Sequence, residues 1–361
     1  MTSIAPAVAA YAAPTRLQLP TEPLGTEAFE QLAAECTSNR VLGLLGSAVG
    51  AGAFAVTDEQ REQLEAMLVS WSAHGLRVER ALLRAADALS TAGVPVRVIK
   101  GPALSRTVYP EPEQRVFGDV DLLVPSGRVH DAVRALGDAL GAERVQPELR
   151  PGFDERFGKE VLLRYGEDLE LDLHRVFVDG AFGLTVVTDD LFAPPYRFPL
   201  AGYELATLPM PQRLLASCYH AALGDWPPRL VALRDVVQLV LREQPNLLDV
   251  LMMARAWRCE IVVARAVTTA WDTLAITETP PIVTWARKYE PDRTARFLLA
   301  SHEGVARSFT RHLAALLVLP SMTDRLQYAR AIAFPQRAYL EARGLSAKSH
   351  IERAIDRMRR R

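Results

Sequence analysis

The chain has few cysteines and no excess of positive charge, so it lacks the features that mark secreted, zinc-stabilised or nucleic-acid-binding proteins. Its 361 residues include only three cysteines, and Cys36, Cys218 and Cys259 are far apart. That pattern argues against a disulfide framework or a cysteine-rich zinc site and favours a reducing compartment such as the cytoplasm. Lysine and arginine total 42 against 43 aspartates and glutamates. A net charge this close to zero gives no global argument for binding nucleic acid.

Long apolar runs are also missing. The longest uncharged run, residues 41–57, is rich in glycine and alanine, and it falls short of the roughly 20 apolar residues that cross a bilayer. Residues 1–14 are rich in alanine but lack the basic segment that opens a signal peptide. We therefore expect a soluble, cytoplasmic protein with no membrane partner and a frayed N-terminus.

What is present is an ordinary globular composition, with 49% hydrophobic and 24% charged residues. The order of helix and strand signals predicts an α+β fold, in which a mixed β-sheet core is flanked by an N-terminal helical region and a C-terminal helical bundle. The predicted segments are a disordered or frayed N-terminus (1–24), the N-terminal helical region (25–93), the strand-containing core (94–205), the C-terminal helical domain (206–345) and a basic tail (346–361).

The first helix of high amphipathicity has clear end signals. Thr57 to Gln60 has the Thr-x-x-Gln pattern of a capping box, and apolar residues then recur at helical spacing. Gly93 is a typical stop. The pattern predicts a helix between these points, with Gly75 as its weak point; one continuous helix and two helices divided there both remain open.

The core that follows combines short strands and a helix. Two β-branched runs predict strands, and the second is followed by a helix that Ser126 caps. Two further runs, separated by Gly166-Glu-Asp168, predict a β-hairpin. The predicted strands are residues 95–100, 119–124, 160–165 and 169–174.

Two of these strands carry acidic residues on one face. Asp119 and Asp121 are separated by one residue, so strand alternation projects both carboxylates to the same side. Two facing carboxylates repel unless a cation lies between them, and Mg²⁺ prefers one or two carboxylates together with phosphate oxygens. Asp172 completes a three-carboxylate site if its strand lies beside the first. Such a site holds two metals, or one metal and a base for a hydroxyl nucleophile.

The strand of Asp172 leaves alternatives open. Glu170 and His174 share its face by alternation, so Glu170 is a rival third carboxylate and His174 is placed to orient a phosphate or take a proton. Glu170, Asp172 and His174 are equally typical of the solvent-exposed face of a hairpin at the edge of a sheet. His174 also fits a hydrogen-bonded structural role.

The turn after the first strand has features of a phosphate site. Gly101 allows close approach of the backbone to an anion, and Lys100 adds a positive charge. Arg115 precedes Phe117-Gly-Asp119 and lies within reach of the same phosphates. The alternatives are a solvated strand end for Lys100 and a surface charge for Arg115.

These motifs together carry a family resemblance. Residues 98–104 (Val-Ile-Lys-Gly-Pro-Ala-Leu), Arg115, and residues 118–124 (Gly-Asp-Val-Asp-Leu-Leu-Val) resemble the bacterial uncharacterised nucleotidyltransferase family. That family belongs to the DNA polymerase β-like nucleotidyltransferase superfamily. Residues 172–174 (Asp-Leu-His) look like its later Asp-Leu-His element, and a helical run containing His220 and Asp235 is similar to its C-terminal pattern. The resemblance covers roughly residues 25–340.

The resemblance implies an activity and roles for residues. It implies that Asp119 and Asp121 are catalytic metal ligands, with Asp172 as the third catalytic carboxylate and metal ligand. Lys100-Gly101 stands where many superfamily members have Gly-Ser, which changes the detail of phosphate binding. The nucleotide-binding candidates are Lys100, Gly101, Arg115, Glu170, His174, His220 and Asp235. A buried structural pair explains His220 and Asp235 equally well.

The resulting hypothesis is an enzyme that uses Mg²⁺, or Mn²⁺, to move an NMP from an NTP to a hydroxyl or phosphate acceptor, releasing pyrophosphate. Candidate acceptors are a small molecule, a natural-product peptide, a protein or a tRNA, and the near-neutral charge favours the first two. The alternatives are a non-catalytic nucleotide- or partner-binding regulatory module and a phosphotransferase. The basic tail gives tRNA a contact surface, although a solvated tail explains it as well.

Overall fold

A seven-stranded mixed sheet forms the centre of the computed structural model, which describes residues 3–303 and 307–346. The spatial order is β3-β4-β5-β2-β1-β7-β6. Two strand pairs, β2 with β5 and β1 with β7, are parallel, and the remaining pairs are antiparallel. The strands are β1 (Arg97–Val98), β2 (Val120–Leu123), β3 (Glu143–Arg144), β4 (Glu160–Tyr165), β5 (Leu169–His174), β6 (Tyr196–Leu200) and β7 (Tyr203–Thr207).

Helices before, within and after the sheet make up most of the remaining structure, which confirms the predicted α+β class. Short 3₁₀ turns cover Pro112–Gln114, Ser126–Arg128 and Thr188–Phe192. The α-helices of the described ranges are α1 (Ala5–Ala9), α2 (Thr26–Ser38), α3 (Leu42–Gly50), α4 (Asp58–Thr91), α5 (Pro102–Thr107), α6 (Val129–Leu140), α7 (Phe153–Arg156), α8 (Ala181–Leu184), α9 (Gln212–Leu223), α10 (Leu230–Glu243), α11 (Leu247–Ala256), α12 (Glu260–Thr273), α13 (Pro281–Lys288), α14 (Arg293–Ala300), α15 (Arg307–Val318), α16 (Met322–Ala333) and α17 (Arg337–Ala342).

The two faces of the sheet have different partners. Val120 and Leu122 of β2, with Leu171 and Leu173 of β5, are buried in a core shared with α4 and α6. Leu123, which points the other way, belongs to a larger core that includes α9, α10 and α12. Strand alternation therefore buries apolar residues on both sides and leaves Asp121 and Asp172 on the face opposite α4.

The predicted hairpin is confirmed with the same bounds. Antiparallel pairing runs from Glu160 opposite His174 to Tyr165 opposite Leu169. Gly166 has φ +67°, a conformation that a side chain other than glycine adopts only with strain. The turn composition therefore sets the register of the two strands that carry the acidic face.

Helix α4 has 34 residues and begins with the predicted capping box. The Thr57 hydroxyl accepts from the Gln60 amide at 3.2 Å, and the Gln60 side chain accepts from the Thr57 amide at 3.1 Å. The helix is continuous through Gly75, so the weak point does not divide it. A single interior glycine costs only about 1 kcal/mol, which the packing of a long helix readily offsets.

Two details differ from the sequence-based expectations. Instead of fraying, the N-terminal segment contains α1, in which Val8 is buried, and the hydroxyl of Thr15 donates to the carbonyl of Leu274 at 2.6 Å. Small alanine side chains pack closely but give only a weak hydrophobic periodicity, so the sequence pattern did not predict this helix. Ser126 lies in a 3₁₀ turn and does not cap α6, which begins at Val129.

The described residues contain no helix long and apolar enough to cross a membrane. All three cysteines are free and buried, as expected in the absence of a disulfide framework. The basic segment from Lys348 onward lies outside the described residues.

Gly75 of α4 and Gly43 of α3 lead to opposite expectations for substitution by alanine. A Cβ at Gly75 meets only Phe117, at 4.0 Å, whereas a Cβ at Gly43 lies 2.0 Å from the Glu113 carbonyl oxygen. Gly75→Ala should raise the free energy of unfolding by about 0.5–1 kcal/mol, because alanine is the better helix former. Gly43→Ala should lower it. Urea denaturation measures both, and a loss of stability in Gly75→Ala would contradict this description.

Candidate active site

The centre of the acidic face is a pair of aspartates set opposite each other by strand pairing. In the parallel register of β2 and β5, Asp121 lies directly opposite Asp172, and Leu123 opposite His174. The predicted adjacency of the two acidic strands is therefore correct. One oxygen of Asp121, one of Asp172 and one ring nitrogen of His174 all lie within 4.8 Å of one another.

Asp121 is buried and has two partners on the same oxygen. Its Oδ1 accepts from Lys100 Nζ at 2.7 Å and lies 2.8 Å from His174 Nε2. Although burial opposes ionisation, Lys100 and His174 hold the pKa of Asp121 well below its usual range. The same carboxylate raises the pKa of Lys100 against the effect of burial. Asp121 is therefore a fixed negative charge at neutral pH.

Asp172 has a different environment. It is only partly buried, and burial together with the carboxylates of Asp121 and Glu160 raises the pKa of Asp172 to about 7. Two carboxylates in direct opposition cannot both ionise without cost. The pair therefore has an excess of negative charge that a cation would relieve.

His174 is buried between two carboxylates. Its Nε2 faces Asp121, and its Nδ1 lies 3.2 Å from Oε2 of Glu160. Burial lowers the pKa of His174, although the hydrogen bond to Asp121 opposes that shift. Only the contact to Asp121 has hydrogen-bonding geometry, so we assign the proton of the neutral ring to Nε2. In this arrangement His174 orients Asp121.

These donors fit a divalent cation. Two carboxylates and an imidazole are ligand types shared by Mg²⁺, Mn²⁺ and other divalent metals, with imidazole better suited to the transition metals. The cluster is open on the side of Asp172, which is partly exposed, and closed on the side of His174. Asp121 and Asp172 are the residues that would hold the metal, with His174 behind them.

Comparison with protein families shows which kind of enzyme contains this cluster. Residues 26–274 match the model of a family described as uncharacterised nucleotidyltransferase. The chain is a member of the uncharacterised nucleotidyltransferase family. Comparison with curated proteins gives no match. The matched region begins at α2 and ends after α12, so it includes the whole sheet and every predicted site residue. The protein is therefore a nucleotidyltransferase enzyme, and its Asp121, Asp172 and His174 cluster has the ligand types of a divalent metal site.

Asp119 of this nucleotidyltransferase lies apart from the cluster. It comes one residue before β2, and its Oδ1 pairs with Arg40 Nη1 at 3.0 Å. Its charge still contributes to the raised pKa of Asp172, after burial and the nearer carboxylates. Glu170, the rival third carboxylate, is exposed and lies opposite Arg164 in the hairpin. Asp172 is thus the carboxylate of β5 that faces Asp121.

The turn after β1 brings Lys100 to the carboxylates. Gly101 has φ +44°, and it turns the chain into α5 directly beneath Phe117, whose Cβ lies 3.5 Å from the position of a Cβ at residue 101. The amide of Ile99 donates to the Asp121 carbonyl at 3.3 Å, which keeps the turn against β2. Lys100 is placed by this backbone geometry.

Arg115 and Asp235 are separate candidates in the sequence, and the structure joins them. The Arg115 guanidinium donates two hydrogen bonds of 2.8 Å to the Asp235 carboxylate, and Tyr109 donates a third at 2.9 Å. Arg115 and Asp235 are buried. The pair ties the loop before Asp119 to α10.

His220 lies close to the cluster on α9. Burial, reinforced by the positive charge of Lys100, holds the pKa of His220 well below its usual range. A neutral imidazole beside the site can accept a hydrogen bond from a substrate.

Sequence reasoning missed two residues that contact this site. Glu160 approaches His174, and the hairpin register predicted from the turn was sufficient to place it there. Arg40 approaches Asp119 from the junction of α2 and α3. No spacing or motif links Arg40 to a residue so distant in the chain.

The buried Arg115–Asp235 pair gives a stability prediction. Asp235→Asn should lower the free energy of unfolding by about 3–5 kcal/mol, because it leaves a buried guanidinium without its countercharge. Asp168→Asn removes an exposed partner of Arg77 and should leave the unfolding midpoint unchanged. Urea denaturation compares the two variants. Equal, small effects would show that the buried pair does not hold the loop.

Proposed function

We propose that the enzyme transfers an NMP group from an NTP to a hydroxyl or phosphate acceptor, with Mg²⁺ as its metal and pyrophosphate as the leaving group. The observation that carries this proposal is the direct opposition of Asp121 and Asp172 in a member of a nucleotidyltransferase family. Bound Mg²⁺ would neutralise the negative charge that develops on the transferred phosphate.

The side chains around this pair have distinct tasks in the proposal. Asp121, fixed by His174, and Asp172 hold the metal, with Asp119 as a further ligand released from Arg40. Lys100 contacts the triphosphate, since its ammonium already lies at the carboxylate cluster. Gly101 allows the backbone to turn there, and His220 accepts a hydrogen bond from a substrate.

The reaction then needs positioning more than covalent chemistry. The acceptor oxygen attacks the α-phosphorus, so a bond from that oxygen to phosphorus forms and the bond from the α-phosphorus to the bridging oxygen breaks. Pyrophosphate leaves with that oxygen. The proton of a hydroxyl acceptor passes to Asp172, which is the more accessible of the two opposed carboxylates.

The acceptor we favour is a small molecule or a peptide. A net charge of −1 gives no general attraction to a tRNA, and the basic tail lies outside the described residues. Three free buried cysteines suit a reducing compartment, so we place the enzyme in the cytoplasm.

Nucleotide binding tests the metal assignment. We expect one or more of ATP, GTP, CTP and UTP to raise the melting temperature only with Mg²⁺. A ligand at 100 times its Kd stabilises by about 2.7 kcal/mol. Asp121→Asn should remove the Mg²⁺-dependent part of the shift. Glu170→Gln, which changes an exposed carboxylate of the same strand, should keep it.

The products separate nucleotidyl transfer from phosphotransfer. With the NTP that binds and a mixture of hydroxyl-bearing metabolites, we expect pyrophosphate from the wild type and from Glu170→Gln, and at least a hundredfold less from Asp121→Asn. Release of NDP in place of pyrophosphate would identify a phosphotransferase. Undiminished turnover by a folded Asp121→Asn variant would refute the metal assignment.

A further inference from the structure

A cavity lies beside the loop that leads to Asp119. It has a volume of about 480 Å³ and lies between α3, α4 and the segment from Ser105 to Phe117. Neither Asp121 nor Asp172 lines it. Phe117, which lines it, lies against Gly101 of the turn that carries Lys100, so the cavity borders the active site without being part of the carboxylate cluster.

The cavity has aromatic and apolar walls. Trp71 and Phe117 supply two rings, and Leu68 and Leu76 add aliphatic surface. Leu76 is 68% exposed, which leaves a large apolar side chain at the rim with little cover. An apolar pocket next to a site for small molecules is typical of a binding subsite.

The two arginines on its walls are already paired with carboxylates, and Glu113, also on the wall, is exposed. Arg106 binds Glu79 at 2.8 Å, and Arg115 binds Asp235 at 2.8 Å. The two guanidiniums that line the cavity therefore have carboxylate partners and are not available to a phosphate. The hydroxyls of Ser47 and Ser72, which also line it, can bond the polar edge of an uncharged group.

Gly75 keeps this space open. It lies in the interior of α4, where glycine is unfavourable, and it lines the cavity. A Cβ there would meet only Phe117 Cε2, at 4.0 Å. Packing between helices therefore does not require glycine at this position, whereas Gly43 and Gly46, on the opposite wall, have neighbours at 2.0 and 2.6 Å.

We propose that this cavity binds an uncharged planar aromatic ring that belongs to one of the two substrates. Stacking on Trp71 and Phe117 suits a ring of nucleobase size, and such stacking tolerates different rings. The ring comes either from the base of the NTP or from an aromatic group of the acceptor. Its assignment to a substrate rests on the proposed function, but binding of the ring itself needs neither metal nor phosphate.

Ligand-observed NMR on the full chain tests the proposal without catalysis. The probes are adenosine, guanosine, cytidine and uridine for the donor base, and N-acetyl-tryptophanamide and N-acetyl-tyrosinamide for an aromatic acceptor. We expect at least one probe to bind the wild type. Gly75→Leu, which places a bulky side chain on the cavity wall, should weaken that binding at least tenfold. Gly75→Ala should change it less than twofold.

A second variant tests whether loss of binding in Gly75→Leu comes from the cavity or from a folding defect. Trp71→Leu keeps an apolar wall but removes the ring, so it should also weaken binding at least tenfold while the protein melts cooperatively. The class of probe that binds identifies the source of the ring. Failure of every probe to bind the wild type, or equal affinity in Gly75→Leu, would overturn the proposal.

The same variants keep this proposal distinct from the proposed reaction. Asp121→Asn should bind the probe as the wild type does, because Asp121 does not line the cavity. Loss of probe binding in Gly75→Leu, together with release of NDP in place of pyrophosphate, would refute the reaction and keep the cavity. Pyrophosphate release that does not depend on Asp121 would refute the metal assignment and likewise keep the cavity. The opposite pattern would refute the cavity alone.

Discussion

The opposition of two carboxylates across a parallel strand pair is the constraint on which the rest of the site depends. Register fixes Asp121 against Asp172, and the apolar residues that alternate with them fix the register by filling the core on the other face. The fold therefore holds like charges together. Lys100 and His174 balance the charge of Asp121, while Asp172 is left with a raised pKa.

One buried and one partly exposed ion pair connect this arrangement to the helices. Arg115 and Asp235 connect the loop before Asp119 to α10, and Arg40 reaches Asp119 from the N-terminal helices. Both contacts converge on the short segment that leads into β2. A segment held from both sides can present its carboxylate in a defined position, and it also places Phe117 over the neighbouring cavity.

Local patterns predicted the parts of this fold that depend on local chemistry. The capping box of α4, the bounds of the hairpin and the shared face of Asp172 and His174 all follow from spacing and turn residues. The partners of Arg115 could not be predicted in this way, because Asp235 is 120 residues further along the chain. The N-terminal helix was missed since alanines pack closely without marked periodicity.

The central claim is that Asp121 and Asp172 together form a divalent metal site. The most direct measurement is a titration of the full chain with Mn²⁺. The electron paramagnetic resonance signal of the free ion reports how much Mn²⁺ remains unbound at each step. The structure predicts saturable binding by the wild type and by Glu170→Gln, and its loss in Asp121→Asn and Asp172→Asn. Equal Mn²⁺ binding by all four folded proteins would contradict it.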